Sequence, residues 1–198
     1  MGCGPQQQPP PAPVPTQVAS VRPAPKPALV TAFAVPPGEP AYKWVLSQRL
    51  QLRLALPDRR GWVMRKERSS FLALDHAASS SSLAVSVWHA HDNMSPDKCE
   101  ERARLLRDLP ERAQGLSEAT LQVPRGFSTR MDAGVEALSD GALRGYLLAF
   151  GALAKRCFVF AFSTQAQGPK AEEQVGARLA TMQSLTLERL ELKSQLPR

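Results

Sequence analysis

His89 and His91 stand two residues apart, with Asp92 directly after them. On an extended strand that spacing turns both imidazoles to one side. Two imidazoles and a carboxylate are donor types that zinc and copper accept. Asp75 and His76 can join the set if their strand neighbours this one. No further ligand follows at a recognisable spacing, so no metal or other cofactor is expected and titratable surface histidines are the preferred reading. The serines from Ser79 to Ser82 lack the glycines of a nucleophile elbow, and no G-x-S-x-G occurs in the chain. Cys99 and Cys157 have no adjacent histidine that would generate a thiolate. No glycine-rich phosphate loop is present, and the acidic residues mostly read as solvated charges on helix faces. The expectation is a protein that is not an enzyme.

The chain is basic, with a formal charge of +7 over 198 residues. Such a balance favours anionic partners: nucleic acid, lipid head groups or acidic proteins. The charge is densest from Arg49 to Arg68, where Arg49, Arg53, Arg59, Arg60, Arg65, Lys66 and Arg68 face only Asp58 and Glu67. Arg53 shares an outer strand face with Gln51. Trp62, close behind the Arg59-Arg60 turn, can supply a stacking plane, and arginine with an aromatic can grip a phosphate and a base or sugar. The set Arg53, Arg59, Arg60, Trp62, Arg65, Lys66 and Arg68 is therefore the candidate surface for an anionic ligand or partner. The competing reading is a solvated face that keeps a sheet edge from pairing.

These residues need a frame. Leu50, Leu52, Leu54 and Leu56 alternate with polar residues, as on a half-buried strand. Pro57 to Gly61 reads as a turn, Trp62 to Met64 and Ser70 to Asp75 as strands, and Ser82 to His91 as a further alternating strand. Ser95-Pro96-Asp97 is a helix start: a capping hydroxyl, a proline in the first turn and an acid at the positive end of the dipole. Cys99, Ala103, Leu106 and Leu109 then fall on one face. Residues 111–122 are ambiguous, with a short helix favoured. Gly126 to Leu138 alternates again, and Asp140-Gly141 is a hairpin turn. Leu143 to Gln165 is the most apolar stretch and reads as two strands at the sheet centre. A last helix, from Lys170 to Leu185, turns Val175, Leu179, Met182 and Leu185 inward. The order implies an α+β fold: an antiparallel sheet of about six strands with two main helices packed on one face.

Cys99 on the buried face of the first helix and Cys157 in a central strand can meet. A bridge would close about 59 residues, worth about 4 kcal/mol from chain entropy. It requires an oxidising compartment. The alternative is two reduced core thiols. Cys3 is left over as the odd cysteine.

Residues 1–40 carry twelve of the eighteen prolines. Proline removes amide donors and fixes φ, so this segment reads as a disordered, extended tether and residues 41–198 as one domain. Gly2-Cys3-Gly4 followed by a Pro/Ala/Gln-rich spacer resembles the lipidation junction of a bacterial lipoprotein, which makes Cys3 the lipid carrier. The apolar half of that signal is missing ahead of Cys3, so the resemblance expects the reading frame to begin upstream. Myristoylation prefers Ser or Thr where this chain has Gln6.

Tyr42 to Leu192 resembles a Mog1/PsbP-like domain of bacterial lipoproteins. The features that carry it are the strand ending Leu56-Pro57, Gly61-Trp62 after a short turn and a helix after the third strand. The meander from Gly126 to Thr164 and the closing helix from Lys170 complete it. The resemblance implies a non-catalytic accessory module with no catalytic residues to carry over. The leading expectation is a lipid-anchored binding domain in the envelope of a Gram-negative bacterium, in the periplasm or on the outer membrane. It would contact an envelope protein or an anionic ligand and meet the membrane through Cys3, with nucleic acid disfavoured. Two alternatives stand beside it. One is a cytoplasmic module using Arg49–Arg68 on nucleic acid or an acidic protein, and the other is a metal protein or enzyme using His89, His91 and Asp92.

Overall fold

A computed structural model describes residues 1, 33, 42–58, 60–65, 70–107, 109 and 117–192. The elements run β1 (Tyr42–Ser47), β2 (Leu52–Pro57), β3 (Trp62–Met64), β4 (Leu72–His76), β5 (Ser81–His89), α1 (Pro96–Leu106), β6 (Ser117–Leu121) and β7 (Ser128–Ala137). They continue with β8 (Leu143–Leu153), β9 (Arg156–Ala166), α2 (Ala171–Thr181), a π-helical turn (Met182–Leu187) and β10 (Glu191–Leu192).

The strands form two antiparallel sheets rather than the one of about six expected. Seven are ordered β3-β4-β5-β9-β8-β7-β6, and three form a small sheet ordered β1-β2-β10. The Leu143–Gln165 stretch is β8 and β9, paired through their whole length across a two-residue turn at Ala154 and Lys155. Both strands are covered on both sides, which explains their unbroken apolar runs. Leu147, Ala149, Phe158, Phe160 and Phe162 join one core cluster, while Tyr146, Leu148, Phe150, Val159 and Ala161 join another on the reverse face.

The helices accordingly do not share a face. α1 lies on the Tyr146–Phe150 side and buries Cys99 and Ala103. Ser95 caps it, accepting from the Lys98 amide at 3.3 Å. Leu106 is exposed, because the helix stops there, and Leu109 is buried beyond its end. α2 lies on the opposite side, where Gly145 permits contact: a Cβ there would sit 2.3 Å from Val175. The small sheet shares that side, with Leu52, Leu54 and Leu56 fully buried against Met182, Leu187 and Leu190. Residues 117–121 form a strand, not the helix favoured by their sequence, because they hydrogen-bond along β7.

Phe33, assigned by composition to the tether, is 3% exposed and packs on Trp62 and His76 at ring distances of 6.0 and 5.3 Å. The domain therefore takes in a residue from within the proline-rich segment. Cys3 lies outside the described residues. Among the described residues no helix is long and apolar enough to cross a membrane.

Candidate functional site: an arginine–aromatic face on the small sheet

β1 alternates Tyr42, Trp44 and Leu46 with Lys43, Val45 and Ser47. The pleat sends the first three to the outer face of the small sheet and Val45 toward the core. Register places Leu46 opposite Arg53 and Trp44 opposite Ala55. Arg53 leans across to Trp44, its guanidinium carbon 3.8 Å from the ring centroid, and pairs with Glu191 of β10 at 3.7 Å. Tyr42 meets Trp44 edge to face at 5.6 Å, and Arg189 lies over Tyr42 at 5.5 Å. The result is a row of Arg189, Tyr42, Trp44 and Arg53. It stays open: Trp44 is 37% and Leu46 48% exposed. Beside it, a groove of about 450 Å³ separates the small sheet from the loop after β6, lined by Trp44, Gln122, Val123, Arg125, Glu188, Arg189, Leu190 and Glu191.

Chemically, this face offers flat apolar rings edged by guanidinium groups. Such a surface takes anions that carry an apolar body, through cation–π contacts and charge-assisted hydrogen bonds. Among its described residues this face has no activated nucleophile.

Among its described residues, the basic run from Arg49 to Arg68 is shared between two sheets. Arg53 belongs to the small sheet. Arg65 follows β3 at the edge of the large one, forked onto Asp75 with Nε 2.9 Å from the carboxylate. Arg60 is exposed in the β2–β3 turn. Arg59, Lys66 and Arg68 lie outside the described residues. Trp62 is not a surface stacking plane: it is 5% exposed, and its indole N–H donates to the Pro57 carbonyl at 2.7 Å. A buried indole usually finds an acceptor for its N–H, and here Pro57 supplies it. Trp44 supplies the exposed plane instead. The alternation Tyr42-Trp44-Leu46 carried that signal, but nothing local marks Arg189, which the fold brings from the far end of the chain.

The His89, His91 and Asp92 side chains line a pocket of about 290 Å³ with Trp88, Met94 and Arg102. His76 is not near them. It pairs with Ser81 at the opposite end of β5, eight residues or roughly 27 Å away. Among the described residues no group of three or more His, Cys, Asp or Glu is placed to hold a metal ion.

His76 instead belongs to a buried polar chain. Its Nε2 lies 2.9 Å from Asp58 Oδ2 and its Nδ1 2.7 Å from Ser79 Oγ. Ser79 Oγ is 2.7 Å from Ser81 Oγ, and Ser81 donates to Thr164 Oγ1 at 2.8 Å. Arg178 of α2 closes the chain, donating to the Ser79 and Gln165 carbonyls. Partial burial tends to raise the Asp58 pKa, but the bonds from His76 and from the Arg60 and Gly61 amides outweigh it and hold the carboxyl below its usual value. Burial alone lowers Arg178. Gly61 is required here, since a Cβ would fall 2.0 Å from His76 Nε2. Asp, His and Ser stand in a row, yet Ser79 is 5% exposed and its hydroxyl is shared with Ser81. The chain ties the β2–β3 turn to α2.

Cys99 and Cys157 are bridged, with Cα atoms 5.6 Å apart and both residues fully buried. Trp88 and Met94 pack against the bridge. Arg130 of β7 adds ionic ties to α1, pairing with Asp97 and Glu100 and lying 3.6 Å from Asp132. Burial lowers its pKa, but those carboxylates together raise it beyond the ordinary guanidinium value.

No protein-family model matches the chain, and no curated protein matches it in sequence. Solved structures do. Cyanobacterial PsbP (CyanoP) of a Synechocystis species aligns over 81% of this chain and 97% of its own, with 11% identity and a TM-score of 0.50. The chain has a PsbP/Mog1-like fold. LpqN of Mycobacterium tuberculosis, described as involved in cell envelope biogenesis, aligns over 76% of this chain and 90% of its own at 16% identity, TM-score 0.42. A crystal structure from Bacteroides thetaiotaomicron aligns over 69% of this chain at 12% identity, TM-score 0.43. This chain spans about half, 47%, of that protein's length. At these identities the likeness concerns the PsbP-like fold.

Proposed function

We propose that this PsbP-like chain is a non-catalytic accessory domain of a Gram-negative cell envelope, anchored by lipid at Cys3 and acting by contact with an envelope component. The observation that carries the reading is the buried Cys99–Cys157 bridge. Bridges of this kind persist in the periplasm and are rare in the cytosol. With both core cysteines consumed, Cys3 remains as the odd cysteine, ahead of a proline-rich spacer. That spacer suits a tether, which raises local concentration near a membrane partner without fixing orientation. A cytoplasmic nucleic-acid module fits less well, because the described arginines of its basic run are divided between two sheets.

Mass spectrometry of the protein purified from envelopes tests the reading. The expected result is a diacylglycerol adduct on the peptide bearing Cys3 and an intact Cys99–Cys157 linkage. Unmodified Cys3 in membrane fractions, or two free core thiols in the cell, would overturn it.

A further inference from the structure

We infer that the outer face of the small sheet is a membrane-docking surface. It would lay Tyr42, Trp44 and Leu46 into the interface of an anionic phospholipid bilayer, with Arg53 and Arg189 at the phosphates. This extends the lipid-anchor reading by naming the face that meets the anchor's own membrane.

The side chains fit that occupant. Tryptophan and tyrosine prefer the head-group level, where the ring is buried and the polar edge stays wet. Arginine lays its stem along apolar surface and keeps its charged end at the phosphates. Trp44 and Leu46 are the exposed apolar residues of β1, two positions apart on one face, with Tyr42 completing the line. The row of two guanidiniums and two rings presents both requirements along one edge. Two carboxylates flank the row: Glu191 pairs with Arg53 at 3.7 Å, and Glu188 accepts from the Gln183 amide at 3.1 Å.

Chain geometry makes the same choice. Phe33 is packed on Trp62, whose indole bonds Pro57, and Pro57 is the register partner of Tyr42. Phe33 is thus held near the corner where the Tyr42–Leu46 row begins. Thirty residues separate Cys3 from Phe33. At ~3.1 Å per residue a proline-rich course of that length reaches at most about 90 Å, which bounds the distance between this corner and the anchor's bilayer. Because the tether makes docking intramolecular, a weak surface contact suffices. Docking would turn α1 and the His89–His91 pocket, on the far side of the large sheet, away from the membrane.

The test uses full-length protein carrying Cys3→Ser, so that lipid plays no part and its outcome is independent of whether Cys3 is acylated in cells. Sedimentation with vesicles of phosphatidylethanolamine and phosphatidylglycerol is compared with vesicles of phosphatidylcholine alone. The expected result is binding to the anionic vesicles only, lost at high salt. Trp44→Ser and Arg53→Gln/Arg189→Gln variants, checked for native circular dichroism, are expected to bind more weakly, by about fivefold per arginine removed. Equal binding to neutral vesicles, or undiminished binding by both variants, would overturn the proposal. Binding to neither vesicle would also overturn it and leave a protein as the occupant of this face.

Discussion

Helix α1 and the small sheet cover opposite faces of the same seven strands, and they are attached by different means. α1 buries only Cys99 and Ala103, and its last two leucines, Leu105 and Leu106, are exposed. A covalent bridge and the Arg130 ion cluster make up the deficit. The small sheet brings Leu52, Leu54, Leu56 and Leu192, all at 0–1% exposure, and has no disulfide to the large one among the described residues. A layer secured by its inner apolar face can give its outer face to something else. That is where the aromatic row lies. A layer held by a bridge and charges needs its polar residues for attachment.

Removing the bridge should separate the two most sharply. Cys99→Ala/Cys157→Ala frees a 58-residue separation, and stability is expected to fall by about 4 kcal/mol on the chain-entropy account. Urea unfolding measures the loss. Hydrogen exchange gives its location: α1 amides are expected to lose protection first while β2 amides keep theirs. Equal loss in both would break the comparison.

Leu54→Ala is the converse. Leu54 is fully buried at the interface of the sheets, so truncation is expected to cost about 3 kcal/mol. Exposure should now appear first in β1, β2 and β10, with α1 still held by its bridge. A variant that loosens α1 as readily would show that the layers are one cooperative unit.

How far the sequence could anticipate this depends on whether each signal was local. Alternation in Leu50–Leu56 and Ser82–His91 identified strands because period two is written in neighbouring residues. Cys99 and Cys157 were paired correctly because one lay on a helix's apolar face and the other at the sheet centre. Which sheet a strand joins is not local. β2 and β5 alternate alike, yet one pairs with β1 and β10 and the other with β4 and β9. β10 has two residues and β6 reads Ser-Glu-Ala-Thr-Leu, too short and polar to declare themselves. The placement of the candidate arginines is likewise not local. Arg53 and Arg65 are near in sequence but serve different sheets, and Arg189 is distant but stacks on Tyr42. Phe33 was hidden by prolines whose composition describes the segment and not the packing of a single residue in it.

The smallest expected effect concerns the corner where the small sheet meets the large one, tied by Asp58 and His76 at 2.9 Å. The Asp58 carboxyl is held below its ordinary value of 3.8 in the folded protein. A carboxyl with a depressed folded pKa binds its proton more weakly when folded than when unfolded. Its contribution is therefore complete above the unfolded value and disappears as pH falls through the folded one. Asp58→Asn is expected to be less stable than the parent at neutral pH, and the difference in urea midpoint should shrink steadily below pH 3.8. The Arg130 cluster, on the other face, is untouched by this substitution. A difference that stays constant with pH would mean that Asp58 acts by shape alone, and that the small sheet owes its attachment to apolar contact at this corner too.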